Sequence, residues 1–188
     1  MKSFKELKES LEKSDGVVFS YGRFQPPTNG HEVLVNNVLD LANENSYDNV
    51  IYTSQTEDNN NPLSWDDKVD VLTKMFPEAD ISRDKIATPF KVLSELSDKG
   101  YKNVIMVVGS DRVDEFKSAM TKYTTAFDSF DVVSAGVRNE NSNTASGMSG
   151  SKLRQFAKDN DFINFNAGLP KSYTEGKKLF QLVRKGLK

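Results

Sequence analysis

Val17-Val18-Phe19-Ser20-Tyr21-Gly22-Arg23-Phe24-Gln25-Pro26-Pro27-Thr28-Asn29-Gly30-His31 is the stretch on which the reading of the fold turns. Val17 to Tyr21 is a short run of β-formers that ends at Gly22, the signature of a buried strand. A loop with paired prolines follows, and from His31 the apolar residues Val33, Leu34, Val38 and Leu41 mark the face of a helix. The loop between them has chemistry of its own. Free amide groups and the positive end of a helix dipole meet there, and both favour a bound anion. Gly22 and Gly30 let the backbone approach a ligand closely, while Pro26 and Pro27 hold the loop's shape in advance. His31 is the single histidine of the chain and lies three residues after Thr28, so it either caps or packs the helix start or joins Thr28 in facing one bound group.

The alternation of strand and helix continues outward from this unit. Asn49 to Thr53 reads as a second strand, followed by an exposed loop from Gln55 to Asn61. Ser64 caps a helix carrying Trp65, Val69, Leu72 and Met75, and a short strand is expected near Ala79-Asp80-Ile81. Thr88-Pro89 starts a helix that stops near Lys99-Gly100. Asn103 to Gly109 is apolar on both faces, as a central parallel strand should be. A helix with Val113, Phe116 and Met120 follows Ser110-Asp111, and Ser129 to Ser134 forms another strand. Ser149 opens a helix through Leu153, Phe156 and Ala157, and a last helix runs from about Tyr173 to Lys185.

This pattern predicts an α/β fold: a doubly wound, Rossmann-like parallel sheet with helices on both faces, in a single domain. Ligands in such sheets sit beyond the carboxyl ends of the strands where the strand order reverses, and the loops after Tyr21, Gly109 and Ser134 open there. Residues 1–14 are expected to form a leading amphipathic helix through Phe4, Leu7 and Leu11, residues 15–170 the domain itself, and residues 171–188 a C-terminal helix packed on it.

Composition narrows the classes of function. The 188 residues carry a formal charge of -2, with 37% hydrophobic and 28% charged residues, and lack the basic excess of a protein that binds nucleic acid through its backbone. Without cysteine there is no disulfide, thiolate metal site or cysteine nucleophile. No apolar run reaches the roughly 20 residues that span a bilayer. Small-molecule substrates, no nucleic acid, no membrane and a cytoplasmic location are the expectations, and a homo-oligomer is left open.

A second segment complements the first. Ser149-Gly150-Ser151-Lys152-Leu153-Arg154 begins a helix with hydroxyls, free amides and two basic side chains, which is either an ordinary capped helix with a solvated basic face or a seat for a polyphosphate. Arg138, after the strand ending at Ser134, either reaches the same phosphates or is solvated. Asp111 either caps its helix or lines the cleft. Trp65, the single tryptophan, either packs in the core or stacks on a flat group.

Taken together the segments resemble the nucleotidyltransferase superfamily. Gly22 to His31 is similar to its (H/T)xGH motif with the G-x-F-x-P lead-in, Thr28 standing at the first motif position. Arg23-Phe24-Gln25-Pro26 is most similar to the nicotinamide-nucleotide adenylyltransferase branch. Ser149 to Arg154 resembles the second element, written ISSTxxR or SGTxxR, with Ser151 in place of the usual threonine. Gly109 to Phe116, Ser134-Ala135-Gly136, Met148 to Arg154 and Gly168-Leu169-Pro170 resemble nucleotidyltransferase-like proteins of tailed bacteriophages.

The resemblance implies transfer of AMP from ATP to a phosphorylated acceptor, with nicotinamide mononucleotide preferred, giving NAD and pyrophosphate. It implies that His31 hydrogen-bonds the α-phosphate, that Thr28 contacts the phosphate chain, and that Lys152 and Arg154 complete the catalytic set. Gly22, Arg23, Phe24, Gly30, Gly109, Asp111, Arg138, Ser149, Gly150 and Ser151 would line the nucleotide, and Asn61, Trp65 and Asp111 the acceptor. Mg²⁺ would be held mainly by phosphate oxygens and water, with no protein side chain as its assigned ligand. The RTEGIST-type second motif common in cytidylyltransferases is absent. Cytidylyl transfer to a sugar or alcohol phosphate is the enzymatic alternative, and a non-catalytic nucleotide-binding module in a larger assembly the other.

Overall fold

The structure is a computed structural model that describes residues 14–136 and 148–187. The leading helix expected before Ser14 and the expected phosphate contact Arg138 lie outside the described residues. Strand β1 (Gly16–Gly22) shows why the sheet is buried on both sides. Its side chains alternate, with Val17 and Phe19 entering one apolar layer and Val18 the other. It pairs in parallel with β2 (Asp48–Thr53) along one edge and with β3 (Asn103–Val108) along the other. β4 (Ser129–Ser134) adds to β3, also in parallel, and the strand order is β2-β1-β3-β4.

Parallel neighbours need crossover connections, which the helices provide. They are α1 (Asn29–Asn45), α2 (Trp65–Met75), α3 (Pro89–Asp98) and α4 (Val113–Met120), followed by α5 (Gly150–Lys158), α6 (Phe162–Ala167) and α7 (Gly176–Gly186). One apolar layer joins Leu34, Val35 and Val38 of α1, Leu72 of α2, Leu153 of α5, Phe165 of α6 and Leu179 of α7 to Val18, Ile51 and Val107 of the sheet. The opposite layer joins Val92, Leu93 and Leu96 of α3 and Phe116 and Met120 of α4 to Val17, Phe19, Met106 and Val132. The sheet is doubly wound, with helices on both faces.

The caps explain where the helices begin. Ser64, Thr88 and Ser149 each accept a backbone N–H of the first turn, from Asp67, Lys91 and Lys152 respectively, and Pro89 stands at the start of α3. Three segments depart from expectation. Around Ile81 there is one parallel bridge to Ile51 rather than a strand, because Ile81 alone docks there, between Asp80 and Ser82. The segment after Gly109 opens with a 3₁₀ turn, Ser110–Arg112, before α4. Helix α6 was not anticipated: only Phe165 of its six residues is buried, too little periodicity to read, although Asp161 caps it through the Asn164 N–H.

Strand order runs outward from β1 in both directions, so the crossovers diverge beyond the carboxyl ends of β1 and β3. Gly22 and Gly109 stand at that point.

Candidate active site

Beyond β1 the chain turns through Phe24 in the left-handed region, at φ 47°. That conformation costs a side chain-bearing residue roughly 1–2 kcal/mol, offset here by burial of the ring. The turn folds the Phe24 ring back over Gly22, where an added Cβ would lie 2.6 Å from a ring carbon. The same ring packs on His31 with centroids 4.9 Å apart. Gly22 is therefore a requirement of close approach, and the imidazole rests on a fixed aromatic wall.

The start of α1 fixes His31 from the other side. Thr28 caps the helix, its Oγ1 accepting the Gly30 N–H at 3.1 Å. The Thr28 backbone N–H donates in return to His31 Nδ1 at 3.0 Å, and Thr28 Oγ1 lies 3.0 Å from the same nitrogen. This is a capping box with histidine in the position glutamate usually fills. A backbone N–H only donates, so Nδ1 accepts, and the neutral ring carries its proton on Nε2.

Helix α5 reaches the same loop. A Cβ added at Gly150 would stand 2.9 Å from the Gln25 carbonyl oxygen, so only glycine lets this helix start abut the loop. Arg154, one turn along, donates from Nη1 to the Gln25 carbonyl at 2.5 Å and from Nη2 to Ser151 Oγ at 3.0 Å. Burial, together with the neighbouring Arg23, lowers the Arg154 pKa from its usual value, with Asp58 opposing. Two guanidinium groups held together in this way are relieved by a multiply charged anion.

The two helix starts and the ends of β1 and β3 enclose a cavity of about 350 Å³. Of the residues singled out in the sequence, Gly22, Arg23, Phe24, His31, Asn61 and Gly109 line it. So do Asp111, Ser149, Gly150, Ser151 and Arg154. Thr28 and Gly30 are buried beneath it in the first turn of α1, and Lys152 is half-buried on α5 outside the lining.

Trp65 corrects an expectation. It stands outside the cavity and packs against the core, with the Lys85 ammonium 4.7 Å from its ring centroid. Val69 and Leu72 are one and two turns further along the same face of α2, and that face turns to the core rather than to the cleft.

Sequence reasoning passed over several lining residues: Gln25, Leu34, Arg112, Phe116 and Met148. Arg112 lies 4.6 Å from the Phe116 ring and forks onto Glu115 at 3.3 Å. It also passed over Lys68, a fully buried residue whose ammonium donates to the Ser54 carbonyl. Ser54 in turn donates its N–H to the Gly22 carbonyl at 2.9 Å, so Lys68 braces β2 where β1 ends. Burial pushes the Lys68 pKa down to about 8, with Glu57 opposing. A lysine in a helix otherwise amphipathic gives no sign of this in sequence.

The family model for cytidylyltransferase-like proteins matches residues 19–156. The chain belongs to the cytidylyltransferase-like family. Through that family it is a nucleotidyltransferase, and the matched span contains both helix starts described above. Among solved structures this cytidylyltransferase-like chain is similar to Plasmodium falciparum nicotinic acid mononucleotide adenylyltransferase complexed with APC, at 13% identity and a TM-score of 0.59. The match covers 92% of this chain and 99% of that one and shows a shared fold. No curated protein matches by sequence. Among the described residues no helix is long and apolar enough to cross a membrane, and no group of three or more His, Cys, Asp and Glu side chains is placed to hold a metal ion.

Proposed function

We propose that the protein transfers AMP from ATP to a phosphorylated acceptor, nicotinamide mononucleotide in the preferred case, and releases pyrophosphate. The observation that carries this reading is the meeting of the α5 start and Arg154 with the Gln25 carbonyl, in the cavity that His31 lines. Two helix N-termini and four basic or imidazole side chains, Arg23, His31, Arg112 and Arg154, around one cavity suit a triphosphate better than any neutral ligand.

An oxygen of the ionised acceptor phosphate attacks the α-phosphorus in line. The new P–O bond forms as the bond from the α-phosphorus to the bridging oxygen breaks, and pyrophosphate carries the electron pair away. No protein base is needed, because the attacking oxygen is already deprotonated. His31, with its proton on Nε2, donates to a non-bridging α-phosphate oxygen as charge builds there. Thr28 holds the ring, and Arg154, Ser149 and Ser151 hold the departing phosphates with Lys152 adding charge nearby. Asp111 is the one carboxylate among the described residues lining the cavity. A single carboxylate cannot cage a divalent ion, so the fit is to Mg²⁺ carried mainly by phosphate oxygens and water, where it would neutralise phosphate charge.

The family description favours keeping cytidylyl transfer to a sugar or alcohol phosphate as the second reading. Pyrophosphate release should be followed with ATP or CTP, each against nicotinamide mononucleotide, a sugar phosphate and an alcohol phosphate. The proposal expects turnover with ATP and nicotinamide mononucleotide and formation of NAD. Turnover with CTP alone would replace it with the second reading, and release with neither nucleotide would remove both.

A further inference from the structure

One buried amide joins three parts of the cavity wall. Gln25 is 4% exposed. Its Oε1 accepts the Leu63 N–H at 2.9 Å, while Nε2 donates to the Leu63 carbonyl at 2.7 Å and to the Thr56 carbonyl at 3.1 Å. The side chain thus pairs with Leu63 as a strand neighbour would, and grips the loop between Thr56 and Leu63 at both ends. The backbone carbonyl of the same residue accepts Arg154 Nη1 at 2.5 Å and forms the floor on which Gly150 rests.

The gripped loop carries Asn61 into the cavity, with its own amide held by Asp58 at 3.0 Å. The Asp58 carboxylate is also near enough to Arg154 to act on its charge. No other glutamine does comparable work among the described residues: Gln155 bonds only to Asp159, one turn away. A glutamine is suited to the position because it both donates and accepts. Glutamate would set a charge against the carbonyls of Thr56 and Leu63, and an apolar side chain would leave the Leu63 N–H and both carbonyls without partners.

We propose that Gln25 is the positioning residue that couples the Asn61 loop to Arg154, so that filling the phosphate side of the cavity orders the opposite wall. The inference rests on reading Arg154 as a phosphate-binding group and goes beyond it by naming how the two sides communicate. An anion drawing on Arg154 fixes the Gln25 carbonyl, and the Gln25 side chain transmits that restraint to Thr56 and Leu63. Linkage makes the effect reciprocal: a ligand seated on Asn61 strengthens triphosphate binding by the same factor.

The test is hydrogen exchange across residues 56–63, with MgATP or MgCTP as probe and probe binding measured separately by calorimetry. In the intact protein, a bound probe should slow exchange in this segment by about fivefold or more. In Gln25→Met the probe should still bind and still protect the start of α5, but the slowing at residues 56–63 should vanish. A merely structural role would raise exchange with and without probe alike and leave the ratio between them unchanged. Equal slowing in Gln25→Met, or no slowing in the intact protein with probe bound, overturns the coupling. The second outcome needs no variant and stands even if Gln25→Met does not fold. Failure of both MgATP and MgCTP to bind the intact protein would remove the functional reading and, with it, this inference.

Discussion

Two helix starts face the same cavity and are built in opposite ways. At α1 the cap, Thr28, is 1% exposed, Asn29 and Gly30 are buried with it, and His31 is bound from Thr28 and walled by Phe24. At α5 the cap, Ser149, and the first-turn Ser151 are exposed, and the helix touches the loop through Gly150 and Arg154. A group that must meet one phosphorus at one angle needs a rigid seat, because small displacements cost rate steeply. Groups that hold terminal phosphates need charge and reach more than exact placement. Under the proposed function, the difference gives the site a fixed side for chemistry and an open side for grip.

Removing the imidazole attacks the fixed side and should have the largest effect. His31→Ala is expected to lower turnover by at least ~100-fold while triphosphate binding persists. Single-turnover kinetics beside calorimetric binding separate the two, and near-normal turnover would contradict the assigned role. The caps give a sharper comparison, since the same chemistry is deleted at both. Thr28→Ala should cost about 2 kcal/mol of stability and also lower turnover, because the buried hydroxyl holds both the helix and His31. Ser149→Ala should cost only about 0.5 kcal/mol and weaken triphosphate affinity with turnover at saturation little changed. Equal costs in denaturant unfolding would erase the distinction between the two starts.

The smallest effect lies under the fixed side, where Lys68 braces the ends of β2 and β1. Its folded pKa of about 8 is below the ordinary lysine value of 10.5. Below pH 8 both states hold the proton and burial of the charge opposes folding. Between about pH 8 and 10.5 the unfolded chain binds more protons, so this residue's contribution to stability rises with pH there. Denaturant unfolding of Lys68→Met should lack that rise. A constant difference between variant and intact protein across the window would count against it.

The doubly wound sheet was legible because strand periodicity, Pro89 after Thr88 and the serine caps are local signals. The Gly22–His31 and Ser149–Arg154 segments stood out only as a pair and through their resemblance to known motifs, since threonine, serine and glycine are ordinary residues at helix starts. Trp65 left two readings open because an aromatic at the start of an amphipathic helix looks the same whether it faces a ligand or the core, and it takes the core one. The bracing role of Gln25 is invisible in sequence, since its partners lie 31, 38 and 129 residues away and such separations leave no mark on local pattern. Lys68 was passed over for the same reason: its partner Ser54 is reached only after the strand has folded beside β1.

The central claim is that both helix starts hold one polyphosphate. A crystal structure of the protein with MgATP tests it most directly. The expected result places the α-phosphate within hydrogen-bonding distance of His31 Nε2 and the terminal phosphates on Arg154 and the first-turn amides of α5. A triphosphate bound with no contact to Arg154, or with its α-phosphate away from the imidazole, would contradict it.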